Sequence, residues 1–184
     1  PFLAHVARLG RPVILSTGMC TLGEVERAVR IFEKARNHDL VLLHCVTSYP
    51  APAAEINLRA LETLRRAFGL PVGYSDHSMG SEVAVAAVAL GACVLEKHFT
   101  LSRRMRGPDH AASAEPTELA EMVRAIRAVE AAMGDGVKRP MPSERENRVT
   151  GRVSLVAAAP IRAGAKLTAD LVCVKRPGTG IEPH

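Results

Sequence analysis

The stretch VGYSDHSMGSEVAVAAVALGACVLEKHFT, residues 72–100, decides the fold of this chain. Its two β-like runs, VGYSDH and CVLEKHFT, flank a helix-like run rich in alanine and valine that ends at Gly91, a residue that tolerates a positive φ. A strand, a helix and a second strand within fewer than about forty residues predict a βαβ unit with parallel, adjacent strands. We therefore expect His77 and His98 to lie side by side at the carboxyl edge of one sheet, where α/β proteins place their chemistry.

Strand alternation adds detail to this pair of histidines. Ser75 and His77 share one face of the first strand, and Glu96 and His98 share one face of the second. Two neutral imidazoles that approach from two directions are suitable ligands for a divalent cation. The alternative is a structural role, in which each histidine only forms hydrogen bonds where its strand joins a loop. The residues alone leave both interpretations open.

The same strand and helix rhythm extends towards the start of the chain. The strand-end residues Ser16, Thr47, Ser75 and His98 are separated by 31, 28 and 23 positions. This spacing predicts a parallel α/β fold, either doubly wound or half of a (β/α)8 barrel. The strand ends carry no GxGxxG or Walker-type loop, which argues against a dinucleotide or nucleotide-phosphate site.

Composition narrows the classes of partner. The net charge is +5, but the lysines and arginines are dispersed and only 3% of residues are aromatic, which argues against nucleic acid and favours an anionic small substrate. The apolar runs are too short to cross a bilayer, so no membrane partner is expected. The four cysteines form no CxxC pair, and we interpret them as reduced core thiols of a cytoplasmic protein. They are Cys20, Cys45, Cys93 and Cys173.

Six sequence strings carry a resemblance to a known family. In chain order they are VILSTGM, LLHCVTSYP, GYSDHSMG, LEKHFT, GPDHAAS and KRPGTGI. The chain resembles the N-acetylneuraminate (sialic acid) synthase family, in which a (β/α)8 barrel precedes a small antifreeze-like (SAF) domain. The resemblance implies that residues 1–134 are the second half of the barrel, strands five to eight with their helices. Residues 135–152 are charged and contain proline and glycine, which predicts a linker. The resemblance implies that residues 153–184 are a truncated, β-rich antifreeze-like domain.

The resemblance implies an enzyme, a transferase of sialic acid biosynthesis. Such an enzyme condenses phosphoenolpyruvate with N-acetylmannosamine, or a related N-acyl amino sugar, to a nine-carbon 2-keto acid and releases phosphate. A divalent metal, Mn²⁺ or Mg²⁺, on His77 and His98 would polarise the aldehyde oxygen of the sugar. The resemblance also implies a homodimer for the full-length protein.

The same resemblance implies roles for individual residues. Ser16, Thr47 and Ser75 match positions that bind phosphoenolpyruvate, although some members have an asparagine where Thr47 stands. Tyr49 and Asp109 match positions that contact the amino sugar. Arg176 matches an arginine that the small domain lends to the active site of the neighbouring subunit.

Glu96 is the third candidate catalytic residue, beside His77 and His98. Strand parity directs it inwards beneath His98, where a charge is costly unless it is paired. It could orient a metal ligand, bind a protonated group or act as an acid or base. His44 alternates away from Thr47, so we expect it to pack against the helices.

Three alternatives remain open. The sugar could belong to the legionaminic, pseudaminic or spore-coat polysaccharide branch, or the enzyme could make a shorter 2-keto sugar acid, against which the KRPGTGI segment argues. The chain could also be a catalytically inactive fragment that serves as a binding or assembly module. Four βα units cannot close an eight-stranded barrel. For such a fragment we expect aggregation, no turnover, and inward residues exposed to solvent or a partner, namely Ser75, His77, Glu96 and His98.

Overall fold

Four parallel strands form one sheet in chain order, β1-β2-β3-β4, in the computed structural model, which describes residues 1–183. The strands are β1 (Val13–Ser16), β2 (Leu40–Cys45), β3 (Val72–Asp76) and β4 (Leu95–Lys97). The helices before and between them are α1 (Phe2–Arg8), α2 (Leu22–Lys34), α3 (Ala60–Phe68) and α4 (Glu82–Ala89), and α5 (Pro116–Met133) follows β4. All three strand pairings are parallel, which confirms the predicted parallel α/β architecture.

The helices cover one face of this sheet. Leu42, Val72 and Tyr74, which are at most 1% exposed, meet apolar side chains of α1 to α4 there. Thr21 and Glu24 form a capping box at the start of α2, and Gly91, after α4, has the expected positive φ of 89°. In α5, Met122 and Ile126 make the main contact with α4, and Val123 beside them is 43% exposed.

The opposite face of the sheet carries the candidate catalytic and metal-binding side chains. In the ladder, Ser75 is paired with Glu96, and Asp76 with Lys97. Because side chains alternate along a strand, Ser75 and Glu96 share the face opposite the helices, while Asp76 and Lys97 share the helix-covered face. His77 and His98 follow each strand directly and continue the first of these faces.

Burial on the inner face corrects one expectation. Glu96 is exposed and His98 half-buried, as expected for an open half-barrel, but Ser75 and His77 are only 2% and 7% exposed. The reason is the loop after β2, which folds back over β3. The Ala51 amide donates a hydrogen bond to the carbonyl oxygen of His77 (2.9 Å), and the Tyr49 ring covers the imidazole.

The cysteine expectation holds only in part. All four thiols are free, and Cys45 is buried in β2. Cys20 and Cys93 are exposed, which contradicts their assignment to the core. Each lies in a connecting segment: Cys20 follows β1 in a turn, and Cys93 precedes β4, which begins only at Leu95.

The chain divides into two compact units, residues 1–135 and residues 136–184, of which the structure describes the second up to residue 183. The second unit contains α6 (Arg145–Gly151) and an antiparallel pair formed by β5 (Ser154–Ala157) and β6 (Val172–Lys175). The helix α6 lies inside the segment expected to be a linker. The buried Ser154 hydroxyl donates to the Pro177 carbonyl oxygen and accepts from the Gly180 amide, both at 2.9 Å. These bonds tie the KRPGTGI segment to β5.

None of the helices in the described part of the chain is both long enough and apolar enough to span a membrane.

Candidate active site

Three aromatic rings converge at the carboxyl edge of the sheet. The ring centroids of His77 and His98 are 5.2 Å apart and the rings meet nearly edge to face. The Tyr49 ring lies 4.1 Å from the His77 ring and 5.4 Å from the His98 ring. The two histidines of the βαβ unit therefore lie together, as their positions in the sequence predict.

The position of His77 is fixed by the strand beside it. Its Nδ1 lies 2.8 Å from the Val46 carbonyl oxygen, and the Cys45 Sγ lies 3.7 Å from the same nitrogen. Because a carbonyl oxygen can only accept, Nδ1 carries the proton in the neutral ring. Nε2 then keeps its lone pair, which is the form of histidine that binds a metal ion.

His98 faces the loop after β4, residues 101–113. The Asp109 carboxylate comes within 3.8 Å of the His98 Nδ1, at an exposed position. The loop is anchored at both ends: Thr100 Oγ1 and His110 Nδ1 are 2.8 Å apart, and the Ser113 hydroxyl donates to the Asp109 carbonyl oxygen (2.7 Å). These contacts bring Asp109 to the ring cluster.

Arg103 holds the same loop against α5. Its Nε donates to the Ser113 carbonyl oxygen (3.0 Å), and its guanidinium contacts the Glu118 carboxylate (2.5 Å). The Glu115 amide and Arg103 together lower the pKa of Glu118. This role of Arg103 was not predicted from the sequence. Its position six residues before Asp109, in the same loop, was the feature that could have suggested it.

Ser75 and Glu96 form a direct contact below the histidines. The Ser75 hydroxyl donates to the Glu96 carboxylate at 2.6 Å. The predicted inward direction of Glu96 is therefore matched by a hydrogen-bond partner, and its exposure removes the desolvation cost that burial would impose. The bond also orients the carboxylate on the histidine side of the sheet.

Tyr49 is held in its neutral form. Partial burial raises the pKa of its phenol, and the nearby Asp109 and Glu96 carboxylates act in the same direction. A neutral phenol can both donate and accept a hydrogen bond. It is therefore suited to contact a sugar hydroxyl or amide.

The other predicted site residues are less closely grouped. Ser16 and Thr47 are exposed at the ends of β1 and β2, and no hydrogen bond joins either to Ser75 within residues 1–183. The Thr47 hydroxyl lies beside Gly18, where an added Cβ would approach Oγ1 to 3.1 Å. Arg176 is exposed and belongs to the second unit.

Sequence reasoning also missed a buried ion pair next to both histidines. Lys97 Nζ lies 2.8 Å from Asp76 Oδ2, with 7% and 1% of the two side chains exposed. The signal was present in the dipeptides Asp76-His77 and Lys97-His98. A charge in an apolar strand on the helix-covered face requires a partner of opposite charge.

His77 and His98 are suitable as two ligands of a divalent metal ion whose other ligands come from water, substrate or other residues. No group of three or more histidine, cysteine, aspartate or glutamate side chains in residues 1–183 is arranged around one point. His77 offers a free Nε2 lone pair, and His98 offers a second imidazole at 5.2 Å between ring centroids. Two imidazoles suit Mn²⁺ with water or substrate oxygens completing the shell, and they suit Mg²⁺ less well, because Mg²⁺ prefers oxygen ligands.

Comparison with known proteins decides the family. The sequence profile described as NeuB family matches residues 1–138, about three quarters of the chain. The chain belongs to the NeuB family. It is 53% identical over 182 residues to the uncharacterized protein MJ1065 of Methanocaldococcus jannaschii, covering 99% of this chain and 54% of that protein. It is 49% identical over 183 residues to the N,N'-diacetyllegionaminic acid synthase of Campylobacter jejuni, covering 98% of this chain and 55% of that enzyme.

A solved relative extends the comparison to structure. The N-acetylneuraminic acid (sialic acid) synthetase of Leptospira borgpetersenii, crystallised with citrate, matches with a TM-score of 0.73 and 43% identity. The match covers 79% of this chain and 51% of that chain. This NeuB-family chain thus spans about half the length of the curated relatives it matches, and its sheet is a parallel half-barrel like part of a synthase barrel.

Proposed function

We propose that this chain supplies half of the active site of a synthase that condenses phosphoenolpyruvate with an N-acylated amino sugar. The products are a nine-carbon 2-keto acid and phosphate. The observation that carries the proposal is the convergence of Tyr49, His77 and His98 at the carboxyl edge of a parallel sheet. Glu96 and Asp109 lie beside these rings, and sugar acid synthases are among the close relatives.

His77 and His98 would hold the metal, Mn²⁺ or Mg²⁺, which when bound supplies Lewis acidity towards the aldehyde oxygen of the sugar. The chain itself prepares this site, because the Val46 carbonyl oxygen accepts a hydrogen bond from the protonated His77 Nδ1 and the Nε2 lone pair is then available to the metal. Tyr49, packed on both rings, closes one side of the site. A neutral phenol and the Asp109 carboxylate would hydrogen-bond the hydroxyl and acylamino groups of the sugar.

Glu96 would act as the general base that takes a proton from the added water. The enol carbon of phosphoenolpyruvate attacks the aldehyde carbon, and the aldehyde oxygen takes up a proton to become a hydroxyl group. Water then adds to the resulting oxocarbenium carbon. The added water must lose a proton, and the exposed Glu96 carboxylate, oriented by Ser75, is an acceptor on the correct face. Loss of phosphate from the resulting tetrahedral centre then leaves the 2-keto group.

Phosphoenolpyruvate would meet hydroxyl groups on this half of the site. Ser16, Thr47 and Ser75 lie at the carboxyl ends of three adjacent strands. Ser16 and Thr47 would donate to the phosphate or carboxylate oxygens of phosphoenolpyruvate, and the Ser75 hydroxyl would do so on exchanging its hydrogen bond to Glu96. Charge-assisted hydrogen bonds are roughly twice as strong as neutral ones, so we expect basic residues outside this half to contribute the larger share. Arg176 would serve the sugar site of a neighbouring subunit, in a homodimer.

The domain assignment belongs to the same proposal. Residues 1–134 would be strands five to eight of the barrel with their helices, residues 135–152 the connection, and residues 153–184 the beginning of an antifreeze-like domain. The antiparallel pair β5–β6 is compatible with a small β-rich domain.

Two sugars are candidates for the acceptor. N-acetylmannosamine is the first, because the solved Leptospira relative is a sialic acid synthetase. The second is a sugar with two acetamido groups, because the Campylobacter relative, at 49% identity, makes N,N'-diacetyllegionaminic acid. The two sugars would give 2-keto acids of different mass, so the mass of the product identifies the acceptor.

The test is phosphate release from phosphoenolpyruvate with Mn²⁺ and either sugar. We would assay the 184-residue chain alone and a chimera in which it replaces the corresponding half of the Campylobacter enzyme. We expect turnover by the chimera, loss of turnover in His77→Ala and His98→Ala, and little change in the exposed control His38→Ala. A folded chimera that releases no phosphate with either sugar would refute the proposal.

A further inference from the structure

The buried ion pair Asp76–Lys97 lies immediately before the two histidines of the candidate site. Asp76 Oδ2 contacts Lys97 Nζ at 2.8 Å, and Asp76 Oδ1 accepts from the amide and the hydroxyl of Ser78 at 2.9 and 2.6 Å. Lys97 Nζ also donates to the Ser78 carbonyl oxygen at 2.7 Å. The three residues thus form a closed network that brackets His77 in the chain.

The network lies on the helix-covered face, away from the site where substrates would bind. Asp76 and Lys97 are a ladder pair, and His77 and His98 are the next residue of each strand. By alternation, the imidazoles therefore project from the opposite face. The pair can influence the histidines through the backbone, and it cannot touch a substrate bound between the rings.

The sheet itself holds this end of the two strands weakly. The β3–β4 ladder has only three residue pairs, and Asp76–Lys97 is the last of them. Both histidines lie beyond it. The loops hold each histidine separately, through the Ala51 amide on the His77 carbonyl oxygen and the Ala114 amide on the His98 carbonyl oxygen, so the final pair is the last link of the ladder that joins the two strands to each other. The adjacent Ser78 contacts extend the connection past His77, to the point where the chain turns into α4.

A buried ion pair of this kind is not expected to make the fold more stable than apolar residues would. Replacement of a buried ion pair by apolar residues of similar volume is often neutral or stabilising, whereas removal of one partner leaves a buried charge. The value of this pair therefore lies in the geometry that it imposes. A fixed distance between two imidazoles is what a shared ligand requires.

We infer that Asp76, Ser78 and Lys97 are positioning residues that fix the relative placement of His77 and His98. This inference rests on the proposed function, in which the two histidines share a metal ion. It extends that function to residues that contact neither metal nor substrate.

The experiment compares three variants of the 184-residue chain: Asp76→Asn, Lys97→Met and the double variant. Each single variant leaves one charge buried and should unfold at lower urea concentration. The double variant contains neither charge, so its stability should return to near that of the wild type. Its affinity for Mn²⁺, titrated by electron paramagnetic resonance, should nevertheless remain weaker by about 10-fold, because the tie between the strands is absent.

Leu61→Ala is the matched structural control. Leu61 is fully buried on α3, distant in sequence from the pair, so the variant should lose stability and keep the wild-type affinity for Mn²⁺. A role in stability alone predicts that the double variant has wild-type affinity for Mn²⁺ as well as wild-type stability. That result would overturn the inference.

A second readout does not depend on the metal. Long-range ¹H–¹⁵N spectra of the imidazoles report the tautomer of His77, which should be the Nδ1–H form in the wild type. In the double variant both tautomers should appear, since the contact with the Val46 carbonyl oxygen is loosened. If the wild type binds no Mn²⁺, the metal site of the proposed function fails. The inference then stands or falls on whether the His77 tautomer changes.

Discussion

Replacement of Gly73 by alanine tests how closely β3 and β4 must approach to bring the histidines together. Gly73 lies two residues before Ser75 on the inner face. A Cβ built there would overlap the Val94 carbonyl oxygen and would lie 2.6 Å from Leu43 Cδ2 and 2.9 Å from Val94 Cβ. The Leu43 methyl group can move by rotation, but the Val94 carbonyl is backbone and accepts the Tyr74 amide hydrogen bond at 2.8 Å.

The magnitude follows from these contacts. Overpacking of this kind costs about 1–3 kcal/mol, and a weakened Tyr74–Val94 hydrogen bond adds about 1 kcal/mol. Alanine also restricts the unfolded chain, which offsets about 0.4–1 kcal/mol. We therefore expect Gly73→Ala to lower the free energy of unfolding by about 1–3.6 kcal/mol. A shift of β4 should also weaken Mn²⁺ binding, because β4 leads directly to His98.

The assay is urea unfolding followed by circular dichroism, since the chain has no tryptophan for fluorescence. Gly23→Ala is the matched control: Gly23 lies in α2, and a Cβ there meets no atom within 4 Å. This control should stabilise the chain by about 0.4–1 kcal/mol. A Gly73→Ala variant as stable as the wild type, alongside a stabilised Gly23→Ala, would show that the reasoning about this close approach is wrong.

Three further predictions concern single side chains around the site. Tyr74→Phe should raise the free energy of unfolding by about 1 kcal/mol in urea, because the buried Tyr74 hydroxyl has no hydrogen-bond partner among residues 1–183; an unchanged or lower value would contradict this. Glu118→Gln should cost stability at neutral pH. Its difference from the wild type should shrink as the pH falls below 4.5, the ordinary pKa of the group, and vanish once the pH is below the lowered folded-state pKa, because protonation removes the contribution of the carboxylate; a difference independent of pH would contradict the assignment. Arg103→Met should raise the KM for the sugar by about 10-fold in the active chimera with a smaller effect on kcat, since the loop that carries Asp109 loses its anchor; an unchanged KM would refute that role.

Much of the fold could be predicted from local patterns. The run VGYSDH and the helix-like run ending at Gly91 became β3 and α4, because strand and helix periods and a glycine with positive φ are properties of neighbouring residues. The proximity of His77 to His98 followed from the parallel connection alone. The shortness of β4, three residues instead of most of CVLEKHFT, depends on where the ladder with β3 ends.

The details that decide the site are non-local. The loop after β2 covers His77 through Tyr49 and Ala51, and nothing in the sequence of that loop indicates its direction. Asp76 and Lys97 are separated by 21 positions and became partners only through the register of two strands. Strand parity, applied to the helix-covered face as well as to the histidine face, would have suggested this pair.

The central claim is that His77 and His98 form one metal centre, and anomalous diffraction at the manganese absorption edge tests it most directly. Crystals of the 184-residue chain grown with Mn²⁺ should show one anomalous peak within about 2.0–2.3 Å of an imidazole nitrogen of each histidine. The peak should be absent in His77→Ala and present in the control His38→Ala. A peak bound elsewhere, or none between the two imidazoles when Mn²⁺ saturates the crystal, would contradict the account.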